Sequence, residues 1–178
     1  MKAFIIVANT GRGKTTLVKD LLRVFKNKGS NIIVYDPNRE YFPEFHNNTT
    51  FLDEDTFLKQ ITERHSNGLH KINNSTIVFE EATIFFPNTK KSKGIRDLLV
   101  SKRHTKNNII FVFHSLRTVP VEIIELVNFI ILFKTDDRED IINSRFKFNP
   151  EILQLFNSVS EKSENDFHYF EILSKNNI

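Results

Sequence analysis

Residues 8–15 read Ala-Asn-Thr-Gly-Arg-Gly-Lys-Thr. Two glycines, an ammonium and a hydroxyl at that spacing suit the holding of phosphates. Gly11 and Gly13 let the backbone turn with its N–H groups facing inward, where a β-carbon would crowd an anion. Lys14 can reach the β- and γ-phosphates of a nucleotide, and the hydroxyl of Thr15 can sit on Mg²⁺. A helix starting at Lys14 would aim its first amides at the same anion. Asn9, Thr10, Arg12 and Thr16 therefore join Gly11, Gly13, Lys14 and Thr15 in the candidate binding set, with the Arg12 side chain expected to point outward. The common form of this pattern, Gly-x-x-x-x-Gly-Lys-Ser/Thr, has glycine where Ala8 stands. Alanine is tolerated there if its φ is negative.

A phosphate loop alone only binds. Hydrolysis needs carboxylates on a neighbouring strand, one for the metal and one for the attacking water. Thr76-Ile77-Val78-Phe79 followed by Glu80-Glu81 supplies such a pair at the end of a β-rich run. Ligands of α/β sheets bind at that end. Glu80 takes the metal position together with Thr15, and Glu81 takes that of the base. The plainer reading is a solvated acidic pair at a strand terminus.

The elements that must position these groups are legible as alternating patterns. Nearly continuous apolar runs at 3–8, 31–36, 75–80, 108–113 and 128–133 predict strands buried on both faces, as in a parallel sheet. Residues 167–173 alternate more and predict an edge strand. Leu17, Val18, Leu21, Leu22 and Phe25 mark one face of a helix that Gly29 closes. Further helices are expected at 53–64, 93–102, 121–126 and 138–144, and another starting at Asn149-Pro150-Glu151. Asn- and Ser-rich stretches at 46–50, 65–75 and 157–165 read as surface loops. An alternating βα series gives a three-layer α/β fold with a mainly parallel sheet, as one domain over 1–178. With the phosphate loop and the acidic pair it resembles the P-loop NTPase fold of the RecA/ASCE type.

Composition limits the alternatives. The chain has 178 residues, 39% apolar and 26% charged, with 18 Phe, a formal net charge of +3 and no cysteine. Disulfides and thiolate metal sites are excluded. The longest apolar stretch, 123–133, is broken by Glu125 and Asn128 and is too short to span a bilayer.

After the second predicted strand the chain reads Asp36-Pro37-Asn38-Arg39-Glu40-Tyr41. Asp-Pro-x-x-Glu-Tyr in that place resembles the HerA/FtsK superfamily of DNA-pumping ATPases. Glu80-Glu81-Ala82 is similar to that superfamily's acidic-acidic-Ala. Ser101-Lys102-Arg103-His104 is similar to its arginine-rich segment. His114, followed by Arg117, stands where relatives often carry a polar sensor, commonly Gln, followed by Arg. The resemblance covers about residues 3–135 and is nearest to the small genome-packaging ATPases of viruses, with a likeness also to the ATPase core of Zot-type phage assembly proteins. It implies ATP and Mg²⁺ as cofactors and a homo-oligomeric ring of five or six subunits. Double-stranded DNA would pass through its pore, and a capsid vertex or membrane protein would be a partner. It also implies a location in the infected host's cytoplasm or in the virion.

Such a ring places ATP at subunit boundaries, where an arginine from the neighbour completes the site. Arg103 is the first choice, Arg117 the second and Arg96 the third. With Glu81, Lys14 and His114 these form the candidate catalytic set. Plainer readings stand beside them: a packed histidine for His114, a solvated basic turn for Arg103, and a cap around Pro37 for Asp36 and Glu40. Lys90-Lys91-Ser92-Lys93 reads as a basic loop facing DNA phosphates or simply water. Two other functions fit the same loop. One is a P-loop kinase with Arg138 and Arg145 in a lid. The other is an assembly protein gated by nucleotide without hydrolysis.

Overall fold

The computed structural model describes residues 1–41, 44–45, 49–86 and 89–175, with the side chains of 49 and 89–91 outside the description. The chain alternates strands and helices. β1 (Ala3–Val7) leads through the glycine loop to α1 (Lys14–Asn27) and β2 (Asn31–Tyr35). β3 (Thr49–Phe51), α2 (Glu54–Thr62), β4 (Ser75–Phe79) and α3 (Thr89–Ser101) follow. Then come β5 (Asn108–Phe113), α4 (Val121–Ile124), β6 (Phe129–Phe133), α5 (Glu139–Arg145), α6 (Pro150–Lys162) and β7 (Phe170–Ser174). The sheet order is β3-β2-β4-β5-β1-β6-β7. Within this sheet every strand pair is parallel except β6 with β7, which is antiparallel.

The alternation within β1 shows why the sheet needs cover on both sides. Ala3, Ile5 and Val7 enter one core with residues of α2, α3, α5 and α6. Phe4, Ile6 and Ala8 enter the other with Val18 and Leu22 of α1. Both faces are apolar, so helices must lie on each, which gives the three layers the sequence predicts. In the first core Phe57 of α2 is an aromatic hub. Its ring centroid lies 5.1 Å from Phe79, 5.6 Å from Tyr35 and 5.8 Å from both Phe51 and Phe85. At the N-terminal edge, buried asparagines pin the strands. Asn128 Oδ1 accepts from Ala3 N at 2.8 Å, and Asn107 Oδ1 accepts from Ser75 N at 3.0 Å.

Several boundaries differ from the sequence reading. The stretch 46–50 was expected as a loop, but Thr49 and Thr50 belong to β3; residues 46–48 lie outside the described set. Three residues are too few to show a period, and β3 exists because β2 offers it a free edge. Residues 157–162 are helix rather than loop, since Leu155, Phe156 and Val159 continue the buried stripe of α6 past Asn157. α3 starts at Thr89, so Lys90, Lys91, Ser92 and Lys93 lie in its first turns and not in a loop. The segment 121–126 yields only the single turn of α4. β7 starts at Phe170, leaving Phe167, His168 and Tyr169 in the loop after α6.

Removing the aromatic hub tests this core. Phe57→Ala is expected to cost about 3–5 kcal/mol of unfolding free energy, measured by urea titration. A loss below about 1 kcal/mol would show that the cluster reorganises around the void.

Candidate functional site

The C-terminal ends of β1, β2, β4 and β5 meet at one edge of the sheet, and the chemistry gathers there. Ala8 lies among the fully buried apolar residues and continues the ladder, its N–H donating to Phe113 O at 3.1 Å. Its φ is not positive, so the departure from glycine costs nothing there. The left-handed turns fall instead at Gly11 (φ 82°) and Gly13 (φ 89°), where glycine is needed. α1 begins directly after Gly13 and points its first amides into a cleft of about 630 Å³.

Lys14 is 6% exposed. Its Nζ lies 3.0 Å from His114 Nδ1, and His114 Nε2 lies 2.5 Å from Glu81 Oε1. An ammonium has only protons to offer, so Nδ1 accepts and the ring proton sits on Nε2, which donates to Glu81. The row Lys14–His114–Glu81 therefore links three strand ends. Burial lowers the Lys14 pKa, while Glu80, Glu81 and Glu40 pull it back up. Glu81 itself is in a left-handed conformation (φ 55°), a strained backbone for a side chain with a β-carbon.

Glu80 points the other way from its neighbour. It is 1% exposed, and its Oε2 accepts from Tyr41 Oη at 2.7 Å. Desolvation pushes its pKa up to about 7, against the pull of Tyr41 and Lys14. The same burial and carboxylate raise the Tyr41 phenol.

The segment after β2 is held by Asp36. Its two oxygens accept from Glu40 N (2.8 Å) and Tyr41 N (3.0 Å). Asp36 is thus a turn cap, the plainer of its two readings. Glu40 is not: the turn delivers its Oε2 to the Thr15 hydroxyl, which donates to it. Sequence reasoning noted Glu40 without placing it here, although the cap spacing carries the signal. The loop after α6 was missed altogether. Arg12 Nη1 donates to Phe167 O at 2.8 Å, and His168 lines the cleft beside Gly13.

A family model described as Helicase HerA, central domain matches residues 2–154. The chain belongs to that HerA family. No curated protein matches it by sequence. Among solved structures it is similar to the genome packaging NTPase B204 of Sulfolobus turreted icosahedral virus 2, in complex with AMP (17% identity, TM-score 0.72) and with AMPPCP (18%, 0.72). It is also similar to B204, the DNA-packaging ATPase of Sulfolobus turreted icosahedral virus (17%, 0.70). In each case 97% of this chain and 92% of the other is covered. At such identities the likeness establishes the P-loop α/β fold.

Of the residues singled out in this HerA-family chain, Asn9, Thr10, Gly11, Gly13, Lys14, Thr15, Thr16, Glu81 and His114 line one cleft. Arg103 is not among them. It is exposed in the turn before β5, at the opposite edge of the sheet. Its neighbour Lys102, by contrast, is tied down, since Nζ donates to Leu99 O (3.3 Å) and Leu126 O (3.1 Å). Arg117 is at the near edge, with its Nε 3.7 Å from Asp137 Oδ1 and its side chain 60% exposed. Arg96 lies on α3 beside Phe86 and Glu122, in a separate hollow. No helix among the described residues is long and apolar enough to cross a membrane.

The raised Glu80 pKa has a sign that can be checked. Between the ordinary value of 4.5 and about 7 the unfolded chain has released this proton and the folded chain keeps it. The group's contribution is fully present below about pH 4.5 and is lost as pH rises through 7, by about 3 kcal/mol at most. Glu80→Gln keeps an acceptor for Tyr41. It is expected to remove this slope relative to wild type in urea unfolding at pH 4.5–8 without nucleotide or divalent cations. An unchanged slope would assign it to another group.

Proposed function

We propose that the chain hydrolyses ATP with Mg²⁺ and uses the energy to move DNA, as the motor subunit of a viral genome-packaging machine. The observation that carries this reading is the row Lys14–His114–Glu81 closing over a phosphate loop. Lys14, His114 and Glu81 line one cleft, and an ammonium, an imidazole and a carboxylate there suit the roles of phosphate-binding cation, polar sensor and water-activating base. The kinase alternative fares worse. Arg138 pairs with Asp140 at 2.7 Å and Arg145 donates to Val119 O at 2.9 Å, and neither lines the cleft.

The donor set suits Mg²⁺. A hydroxyl and carboxylates are hard oxygen ligands, and Mg²⁺ prefers one or two such groups with phosphates and water to a full protein cage. Among the described residues no group of three or more His, Asp or Glu forms a cage of its own. Thr15 and, through water, Glu80 are the proposed holders. Held there, Mg²⁺ would supply positive charge to offset the negative charge that develops on the phosphate oxygens during transfer. The chain's own groups do the rest. Amides of residues 11–15 hold the phosphates, and Lys14 exchanges its bond to His114 for one to the γ-phosphate. Glu81 takes a proton from the water whose oxygen attacks the γ-phosphorus as the bond to ADP breaks. His114 stays held by Glu81 through Nε2, and its accepting Nδ1 becomes free to take a hydrogen bond from water in the cleft.

A guanidinium from a neighbouring subunit would complete the charge balance, with Arg103 ahead of Arg117 and Arg96. The family's helicase name and the packaging role of the two B204 proteins support work on DNA; a homo-oligomeric ring of five or six subunits on double-stranded DNA is the arrangement proposed for it. A capsid vertex or membrane protein would receive it, in the infected host's cytoplasm or the virion.

Hydrolysis is expected to need Mg²⁺ and to rise with double-stranded DNA. Glu81→Gln should lower kcat by about 10²–10⁴-fold with ATP still bound, as expected for loss of a base. Lys14→Ala should lose binding and turnover together. Unchanged phosphate release in both variants would show that the site is misassigned. ATP bound but never turned over by wild type, even with DNA, would favour the nucleotide-gated assembly protein.

A further inference from the structure

The loop between α6 and β7 has no part in the row just described, yet it crosses to the phosphate loop. Asp166 organises it, accepting from His168 N at 2.9 Å through Oδ1 and from Tyr169 N at 3.1 Å through its carbonyl. This self-capped turn presents Phe167 and His168. Arg12 clamps it from the phosphate loop, bonding Phe167 O and laying its guanidinium 3.8 Å from the centre of the Phe167 ring. Phe167 nevertheless stays 55% exposed as a residue. The His168 ring stands edge-on to it at 5.2 Å, and its Nδ1 would be 3.4 Å from a β-carbon placed on Gly13.

Direction along the cleft gives these residues a task. Lys14, His114 and Glu81 mark the end where the γ-phosphate belongs. The phosphate chain then runs back past Gly13 toward Thr16, and His168 lines the cleft with both. Whatever carries the phosphates must leave on that side. An exposed aromatic ring braced by a cation has little packing to do at a loop tip, but it is suited to stack on a heteroaromatic base. Phe167 also lines a second hollow, which shares Asn9, Thr10 and His114 with the first.

We propose that Phe167 and His168 form the seat of the nucleoside half of the ligand. Phe167 stacks on the base, and His168 contacts the sugar and α-phosphate beside Gly13. Arg12 positions the seat and fixes its distance from the phosphate loop. This rests on the nucleotide reading of the cleft.

The test compares a ligand that has a base with one that has none. Calorimetric affinities of the full chain for Mg·ATP and for Mg·tripolyphosphate would be measured for wild type, Phe167→Ala, His168→Ala, Phe167→Tyr and Lys14→Ala. Phe167→Ala is expected to weaken ATP about ten- to a hundredfold and leave tripolyphosphate within about twofold. Phe167→Tyr should restore ATP, which shows that the ring and not the fold was lost. His168→Ala should weaken ATP more than tripolyphosphate. Equal losses on both ligands would reduce the loop to a brace for the phosphate loop and overturn the seat, as would no loss on either. Lys14→Ala should weaken both ligands. If it weakens neither, the phosphate reading itself fails and the seat falls with it, a result distinct from failure of the seat alone.

Discussion

One buried ammonium sets the terms for everything around it. Taking Lys14 out of water is unfavourable unless acceptors and opposite charge are supplied. Three carboxylates lower that cost from different directions: Glu80 and Glu81 beyond β4, and Glu40 in the turn after β2. The direct acceptor is His114, from the end of β5. The carboxylates compete for the same small space. Glu80, the most deeply buried, is driven toward its neutral form, while half-buried Glu81 and exposed Glu40 reach polar partners of their own. The cation is satisfied by groups whose place a phosphate oxygen could take, and the same contacts fix Lys14, His114 and Thr15 in the cleft.

The sheet makes that convergence possible. In a parallel sheet all strands deliver their next residues to the same edge. Ala8, Asp36, Glu80 and His114 each stand one residue beyond a strand end. What differs is how each segment turns after leaving. The phosphate loop turns at two glycines. The β2 segment turns around the Asp36 carboxylate, which fixes Glu40 and Tyr41 together and so sends one side chain to Thr15 and the other to Glu80. The β4 segment turns at Glu81 in a left-handed conformation, at a cost of about 1–2 kcal/mol for an L-residue. That strain points Glu81 into the cleft while Glu80 stays in the interior.

The parts legible in the sequence share a property: their signal is local. Gly11, Gly13, Lys14 and Thr15 act within five residues, and the strands of the central sheet are recognisable as runs buried on both faces. The acidic pair was visible too, but not that Glu80 and Glu81 would separate, because that depends on the φ of one residue. β3 was hidden because three residues carry no period. The clamp between Arg12 and Phe167 joins residues 155 positions apart, and no local pattern announces such a contact. Glu40 lies between these extremes. Its Asp-Pro-x-x-Glu-Tyr setting was evident, but its target depends on β2 pairing beside β4.

The position of the candidate arginines bears on how copies of the chain would assemble. β5 is six residues long, so its two ends are about 20 Å apart at about 3.3 Å per residue. Arg103 precedes it and His114 follows it, and no side chain spans that distance. Arg103 can therefore meet a phosphate loop only if a second copy presents its far edge to the near edge of the first. Contacts between two different faces are heterologous, and they close into rings when the rotation allows. Arg117 makes the opposite demand. It sits beside Asp137 at the same end of the sheet as the cleft, though outside the cleft's lining, and so does not depend on the far edge of another copy. A head-to-tail ring therefore favours Arg103, whereas Arg117 needs only the chain that carries it. The choice between the two arginines is thus also a choice between a site shared by neighbouring subunits and one that each subunit completes alone.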